Sequence, residues 1–395
     1  MRTPWSIVAL LGCVVGLLGG VGKADDRPML QIINGDARPI EIFWLKSNSE
    51  RVSNGTAAPG DSRSIATTIG HKFVIVGCDE GPEAEVTATL PVQAFRFQPP
   101  IRNEPVEVAE GRVAPPPDGA AVPSFYTKFI SAGGYPIVAS SRVNDYALKE
   151  AAFLVNAMLA ERPDVRKAMI QSGSRLCIMA HDEFTTDLPE FQRLGDSNSR
   201  KMGGVDAKSY WDARARGLGG SRTDPYCTCA EENLLGFEGD PYSTENILIH
   251  EFAHNIHLRG MVNVDATFEP RLKEAYDRAM AKGLWKGKYA SVDYHEYFAE
   301  GVQSWFDDNR ENDHDHNHVD TRAELIEYDP GLAALCREVF GDTVLVYTKP
   351  AARLTGHLAG YDPSTAPKFE WPARLDEARA AIHRQAKERD RKANR

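Results

Sequence analysis

The chain has 395 residues, 42% of them hydrophobic and 26% charged, the balance of an ordinary folded protein long enough for two domains. Its net charge of -10 argues against a general nucleic-acid binder, because neutralising phosphates takes a clustered excess of Lys and Arg that only the extreme C-terminus carries. Past the N-terminal segment no stretch is apolar enough to cross a bilayer, so no transmembrane segment is expected.

Residues 1–24 read as a secretory signal peptide: Arg2, an apolar run from Ile7 to Val21, then Gly22 and Ala24 before an acidic start. Export to a periplasmic or extracellular space follows. The stretch LLGC, Leu10 to Cys13, also looks like a lipoprotein cleavage box, but the residues after Cys13 stay apolar and make an odd mature start. Cleavage after Ala24 leaves Cys78, Cys177, Cys227, Cys229 and Cys336, an odd count that keeps at least one thiol out of any bridge. Cys227-Thr-Cys229 is half of a metal pattern with no second half and reads as structural.

From residue 28 to 100, short β-patterned runs (LQIING, PIEIFWL, SIATTI, HKFVIVG, AEVTATL) alternate with turn clusters (NGDARP, KSNSERVSNG, AAPGDS), the pattern of an all-β sandwich. Residues 101–122 are rich in proline, whose fixed φ and missing amide suit an extended connector between domains. From 123 to 352 helical periodicity dominates an α+β layout, with ALKEAAFLVNAMLAERPD and VRKAMIQSG as helices and SRLCIMAHD as a buried strand. EENLLGF, with YWDARARGLGG upstream of it, is expected to form an edge strand and rim that take a substrate backbone by strand addition. Residues 353–395 form a charged tail that ends in LDEARAAIHRQAKERDRKANR, expected as a solvated helix.

The chemistry concentrates in STENILIHEFAHNIHLRG. Ser243 or Thr244 is expected as the N-cap, with Glu245 in the first turn and Gly260 just past the end. His250 and His254, four residues apart, lie on one helix face where both imidazoles can reach one ion, with Glu251 beside them. HExxH supplies two ligands and a base, whereas a catalytic zinc needs a third protein ligand. The metzincin continuation is absent, since His257 and Gly260 stand where that pattern needs Gly and His. A second helix, VDYHEYFAEGVQSWF, offers Glu296 and Glu300 on one face with Asp293 as its cap, and a carboxylate from it completes a His2Glu zinc site. His295 and His257 could contact substrate, although each is more often an ordinary helix residue. DHDHNHVD, Asp313 to Asp320, reads as a solvated loop in preference to a second metal site, because alternating Asp and His bind divalent ions loosely unless the fold fixes them.

HEFAH followed by YASVDYHEYFAEG resembles the catalytic domain of anthrax lethal factor and its relatives, gluzincin-type zinc peptidases with a tyrosine seven residues before the glutamate ligand. Tyr289 and Glu296 have that spacing, and Glu296 lies 45 residues after Glu251. The resemblance covers about residues 240–310. It implies a zincin-like fold, one Zn2+ held by His250, His254 and Glu296, Glu251 as general base, Tyr289 as transition-state donor, and Glu300 behind the ligands. The roles have physical grounds. Zinc lowers the pKa of its water, a carboxylate can take the water's proton, and a phenol can hydrogen-bond the forming oxyanion. Glu300 could accept the far N–H of a ligand imidazole and fix its tautomer.

The segment INGDARPIEIFWLKSNSERVSNGTAAPGDSRSIATTIGHKFVIVG resembles the β domain of the von Hippel-Lindau protein in its FWL strand, the Pro59-Gly60 turn and the GHKF segment at Gly70 to Phe73. In the relative this sandwich recognises a hydroxyproline peptide. Trp44, Thr67, His71 and Phe73 fall on positions of that pocket, but Asn54 stands where the family has tyrosine, which speaks against hydroxyproline. The plainer reading of Trp44 and Phe73 is as sandwich aromatics, with Trp44 and His71 kept as possible substrate contacts. The leading expectation is therefore an exported zinc metallopeptidase acting on a protein or peptide. The alternatives are a non-catalytic peptide-binding protein that works through the sandwich, and a zinc amidase on a non-protein amide. Glu251 and Tyr289 separate enzyme from binder, since a closed structural zinc site needs neither.

Overall fold

The computed structural model describes residues 27–47, 50–78, 82–97, 111–196 and 204–393. The signal-peptide and Cys13 readings, and residues 101–110 of the proline-rich connector, lie outside the described residues.

The N-terminal region is β-rich. Its strands are β1 (Met29–Asn34), β2 (Ile40–Ser47), β3 (Glu50–Ala57), β4 (Ser62–Ala66), β5 (Lys72–Gly77), β6 (Glu83–Thr87) and β7 (Val92–Phe97). They form a three-stranded sheet, β4-β1-β7, and a four-stranded sheet, β3-β2-β5-β6. Side chains two apart point the same way, so Leu30 and Ile32, Ile40 and Ile42, and Phe73 and Ile75 join Ile65, Val86 and Phe97 in one core between the sheets. Each such side chain contributes about 1.5–3 kcal/mol by leaving water.

The C-terminal region is mainly helical and wraps a five-stranded sheet. In chain order it comprises β8 (Lys128–Ala132), β9 (Tyr135–Ala139), α1 (Asp145–Met158), α2 (Pro163–Gln171), β10 (Arg175–Met179), α3 (Gln192–Gly195), α4 (Ala207–Arg214), β11 (Gly217–Leu218), β12 (Tyr226–Ala230) and α5 (Glu231–Leu235). Then follow α6 (Ile247–Asn255), α7 (Val262–Val264), α8 (Phe268–Ala281), α9 (Tyr294–Trp305), α10 (Arg322–Tyr328), α11 (Pro330–Phe340) and α12 (Asp376–Ala393). The sheet order is β11-β12-β10-β9-β8, with β9, β10 and β12 parallel. A parallel core strand is covered on both faces, which is why RLCIM in β10 is buried at every position. Cys227 and Cys229 pack into the apolar core from β12, in line with a structural role, and the described cysteines form no disulfide. Asn263 ties the two regions together: its side chain accepts from Val92 N at 2.8 Å and donates to Val92 O at 3.0 Å.

Four local expectations are corrected. EENLLGF is not a strand, because Glu231–Leu235 form helix α5, whose Asn233 side chain anchors the following loop by donating to Tyr242 O and Glu245 O. The edge strand is β11, from the upstream segment. The HExxH helix is capped by Asn246, whose side chain accepts from Leu248 N, not by Ser243 or Thr244. Nor does it stop at Gly260: a π-helical turn, Ile256–Met261, carries it into α7, and Gly260 is there because a Cβ would sit 2.6 Å from Val165 Cγ1 of α2. Finally, the charged tail is docked. Leu375, Ala378, Ala381 and Ile382 bury with Tyr210, Trp211 and Ala213 of α4, and Arg374 reaches Asp212 at 2.9 Å.

Candidate metal centre

Two helices and one turn build the centre. α6 buries its whole length, carrying His250, Glu251 and His254 into the interior. α9 starts at Asp293, whose carboxylate accepts from His295 N at 2.8 Å and Glu296 N at 3.0 Å, the cap expected from sequence. That cap sets Glu296 and Glu300, one helical turn apart, against α6.

His250 Nε2 lies 3.1 Å from Glu296 Oε2, His254 Nε2 lies 3.2 Å from His250 Nε2, and His254 Nε2 lies 3.4 Å from Glu296 Oε2. A tetrahedral ion with bonds of about 2.0–2.1 Å separates its ligand atoms by roughly 3.3 Å. The triangle therefore has the size of one face of such a coordination sphere, and these three residues form a group able to hold a metal ion. Glu300 stays outside it, with Oε1 3.4 Å from His250 Nδ1, the far ring nitrogen.

Gln303 is a partner the sequence reading missed. Its Oε1 lies 2.8 Å from His250 Nδ1, while its Nε2 donates to Glu245 Oε2 at 2.9 Å. An amide oxygen only accepts, so His250 Nδ1 is the donor and Nε2 is directed to the triangle. The spacing 296, 300, 303 was the available signal: three polar residues on one face of a helix that also carries apolar Phe298, Ala299, Val302 and Trp305.

Glu251 is buried beside the triangle and is crossed by the chain that leaves β11. The Gly219 amide donates to its carboxylate. A Cβ at Gly219 would meet His254 Cβ at 2.7 Å, so only glycine lets the backbone pass this close to the ligand helix. Tyr289, in the turn Tyr289–Ser291, has its ring 6.2 Å from that of His250, and its buried hydroxyl has no hydrogen-bond partner among the described residues.

Burial pushes the Glu251 carboxyl up to about 8, with the Glu296 charge adding to the shift and His250 opposing it. Burial disfavours charge on His250 too, but hydrogen bonds to Glu296 and Glu300 outweigh it and hold the imidazole well above its usual value. Burial would raise Glu296, yet His254 and His250 hold it well below the carboxylate range. The cluster thus keeps its carboxylate charged by drawing a proton onto a ligand histidine, a position at which a divalent cation competes with that proton. Burial raises Tyr289 well above the ordinary phenol value, Glu296 adds to this and Arg214 opposes it, so the hydroxyl keeps its hydrogen.

The remaining candidates lie elsewhere. His295 is buried against Tyr294 and His257, its ring centroid 5.4 Å from that of His257. His257 is fully enclosed by Phe268, Phe298, Tyr294 and His295 and presents no surface to solvent. Trp44 and His71 pack at 5.1 Å and line a cavity of about 190 Å³ with Asn54, Thr67 and Phe73 in the β-rich region. The Asp/His-rich stretch is only partly solvated: His314 is exposed, but Asp315 and His316 are buried, because His316 reaches inward to Glu300.

No protein-family model matches the chain, and no curated protein is significantly similar to it.

Proposed function

We propose that the chain is an exported zinc metallopeptidase, a zincin-like catalytic domain preceded by a von Hippel-Lindau-like β domain. What carries this reading is the triangle of His250, His254 and Glu296 donors on two helices, with a buried carboxyl at Glu251 and a buried, unpartnered phenol at Tyr289 beside it. Two imidazoles and one carboxylate suit zinc and leave a coordination position open. Zn2+ bound there polarises a scissile carbonyl and brings the pKa of a water towards neutrality.

The chain's own groups do the rest. Glu251 takes the proton of the attacking water and returns it to the leaving amine, and a cation held at the triangle would favour the carboxylate form this needs against the burial that raises its pKa. Tyr289 donates to the carbonyl oxygen as negative charge gathers on it, where a preset donor is most effective. Gln303 and Glu300 keep the His250 ring turned towards the triangle. β11 is the sheet edge beside Glu251, a Cβ at Gly217 falling 3.1 Å from Glu251 Cγ, and is the strand an extended peptide would pair with.

The test is cleavage of a mixed peptide library by the mature protein. Chelation should abolish cleavage, zinc should restore it, and Tyr289→Phe should lower kcat by about 10²-fold with metal content unchanged. Cleavage that survives both chelation and Glu251→Gln would refute the reading. A second role has its own support: the Trp44 cavity gives the β domain an aromatic wall able to take a peptide side chain.

A further inference from the structure

Given the triad as a metal site, we propose that the loop Asp313–His316 is its positioning element, holding the His250 ring through Glu300 on one side and through Arg310 and Glu245 on the other, and fixing Tyr289 as well. From His250 Nδ1 the contacts run outward along two arms that meet in this loop. One arm passes through Glu300, whose Oε1 is 3.4 Å from Nδ1 and whose Oε2 is 3.2 Å from His316 Nε2; His316 Nδ1 is then 2.8 Å from Asp313 Oδ1. The other passes through Gln303 to Glu245, from Glu245 Oε1 to Arg310 Nε at 3.2 Å, and from Arg310 to Asp313 Oδ2 at 3.3 Å. Asp313 closes the ring.

Glu245, Glu300, Gln303 and His316 are all buried, so each would be strongly destabilising without its partners. A ring linked throughout by hydrogen bonds and ion pairs restricts its members to few arrangements, and one missing member frees more; the Arg310–Glu245 link is an ion pair without hydrogen-bond alignment. The loop is itself shaped for this: Asp313 Oδ1 accepts from Asp315 N and His316 N, both at 2.8 Å, and Asn312 N donates to Asn317 O at 2.7 Å. The backbone carbonyl of Asp315 accepts from Tyr289 N at 2.8 Å, so the segment that steadies the ligand also sets the start of the turn that carries the phenol. A second metal site in the loop is disfavoured, because among the described residues only His250, His254 and Glu296 bring three ligating atoms around one point.

The experiment is a competition titration of zinc against a chromophoric chelator, with stoichiometry and circular dichroism, on the full mature chain. The wild type should bind one equivalent. His316→Leu should weaken binding by about 10- to 100-fold, as loss of an outer partner does elsewhere. His316→Gln keeps an N–H for Glu300 and should recover most of the loss, and His316→Leu in a Glu300→Gln background should add little, because His316 acts through Glu300. If His316→Leu does not fold, Asp313→Ala and His316→Gln carry the test, with Asp313→Ala the weaker binder of the two. One equivalent bound with unchanged affinity in folded His316→Leu and Asp313→Ala would overturn the proposal while leaving the metal site intact. A second equivalent lost with His316 would overturn it in favour of a loop metal site. A wild type that takes up no zinc would remove the triad reading itself and the proposal with it.

Discussion

His250 in the helical region and Trp44 in the β-rich region are both ringed by partners, but of different kinds. Around His250 three polar partners are each held by a further group: Gln303 by Glu245, Glu300 by His316, Glu296 by the Asp293-capped helix. Around Trp44 the cavity is walled by the rings of His71 and Phe73 and by Ile65 and Ala66, with Arg27, Asn54, Thr67 and Thr68 at its margin and Thr67 Oγ1 3.1 Å from His71 Nδ1. Directional bonds in a dry interior hold donor atoms to fractions of an ångström, as metal binding requires, whereas an aromatic wall tolerates small shifts of whatever lies against it. The first arrangement suits chemistry and the second suits recognition.

The sharpest way to separate them is Glu251→Gln, which should reduce kcat by about 10²- to 10⁴-fold while zinc content and the Trp44 cavity stay as they are. Next in size, Phe73→Ala opens a cavity in the β-rich core and should cost about 3–5 kcal/mol in chemical denaturation. If zinc binding falls in step, the two regions unfold as one unit and the comparison between them breaks.

Stability against pH probes the polar side. His316 is disfavoured as a cation by burial, but Glu300 and Asp313 more than offset this and raise it to about 9. A histidine raised above its unfolded value of about 6.5 stabilises fully below that pH, and the contribution fades as pH rises towards 9, on the order of 3 kcal/mol in all. Urea midpoints of the metal-free protein at pH 6 and pH 9.5 should therefore differ more in wild type than in His316→Gln, and equal differences would contradict the ring. The smallest effect is expected from Trp44→Ala, which should leave kcat/KM on short peptides within about twofold, since it touches no group of the metal centre. A tenfold loss would mean that the cavity takes part in catalysis.

The inner site was legible because ligand spacing is local: His250 and His254 share a helix turn, and Asp293 caps the helix that brings Glu296. The outer site was not, because Glu245, Arg310 and His316 meet Gln303 and Glu300 only through tertiary packing, and a string of Asp and His reads as solvated until burial is known. The β-rich region was readable from period-two alternation, as in Ile40 and Ile42. EENLLGF misled because its apolar run is as short as a strand, while the two glutamates in the first turn and the left-handed Gly236 at the end favour a short helix. The docking of α12 was visible in the helical spacing of Leu375, Ala378, Ala381 and Ile382, which its surrounding charge obscured.

Zinc per mole of mature chain, in wild type and in Glu296→Ala, tests the central claim most directly. One equivalent in the wild type and a marked loss in the variant are expected. A folded wild type that takes up no zinc, or a variant that keeps the full equivalent as tightly, would contradict the two-helix site.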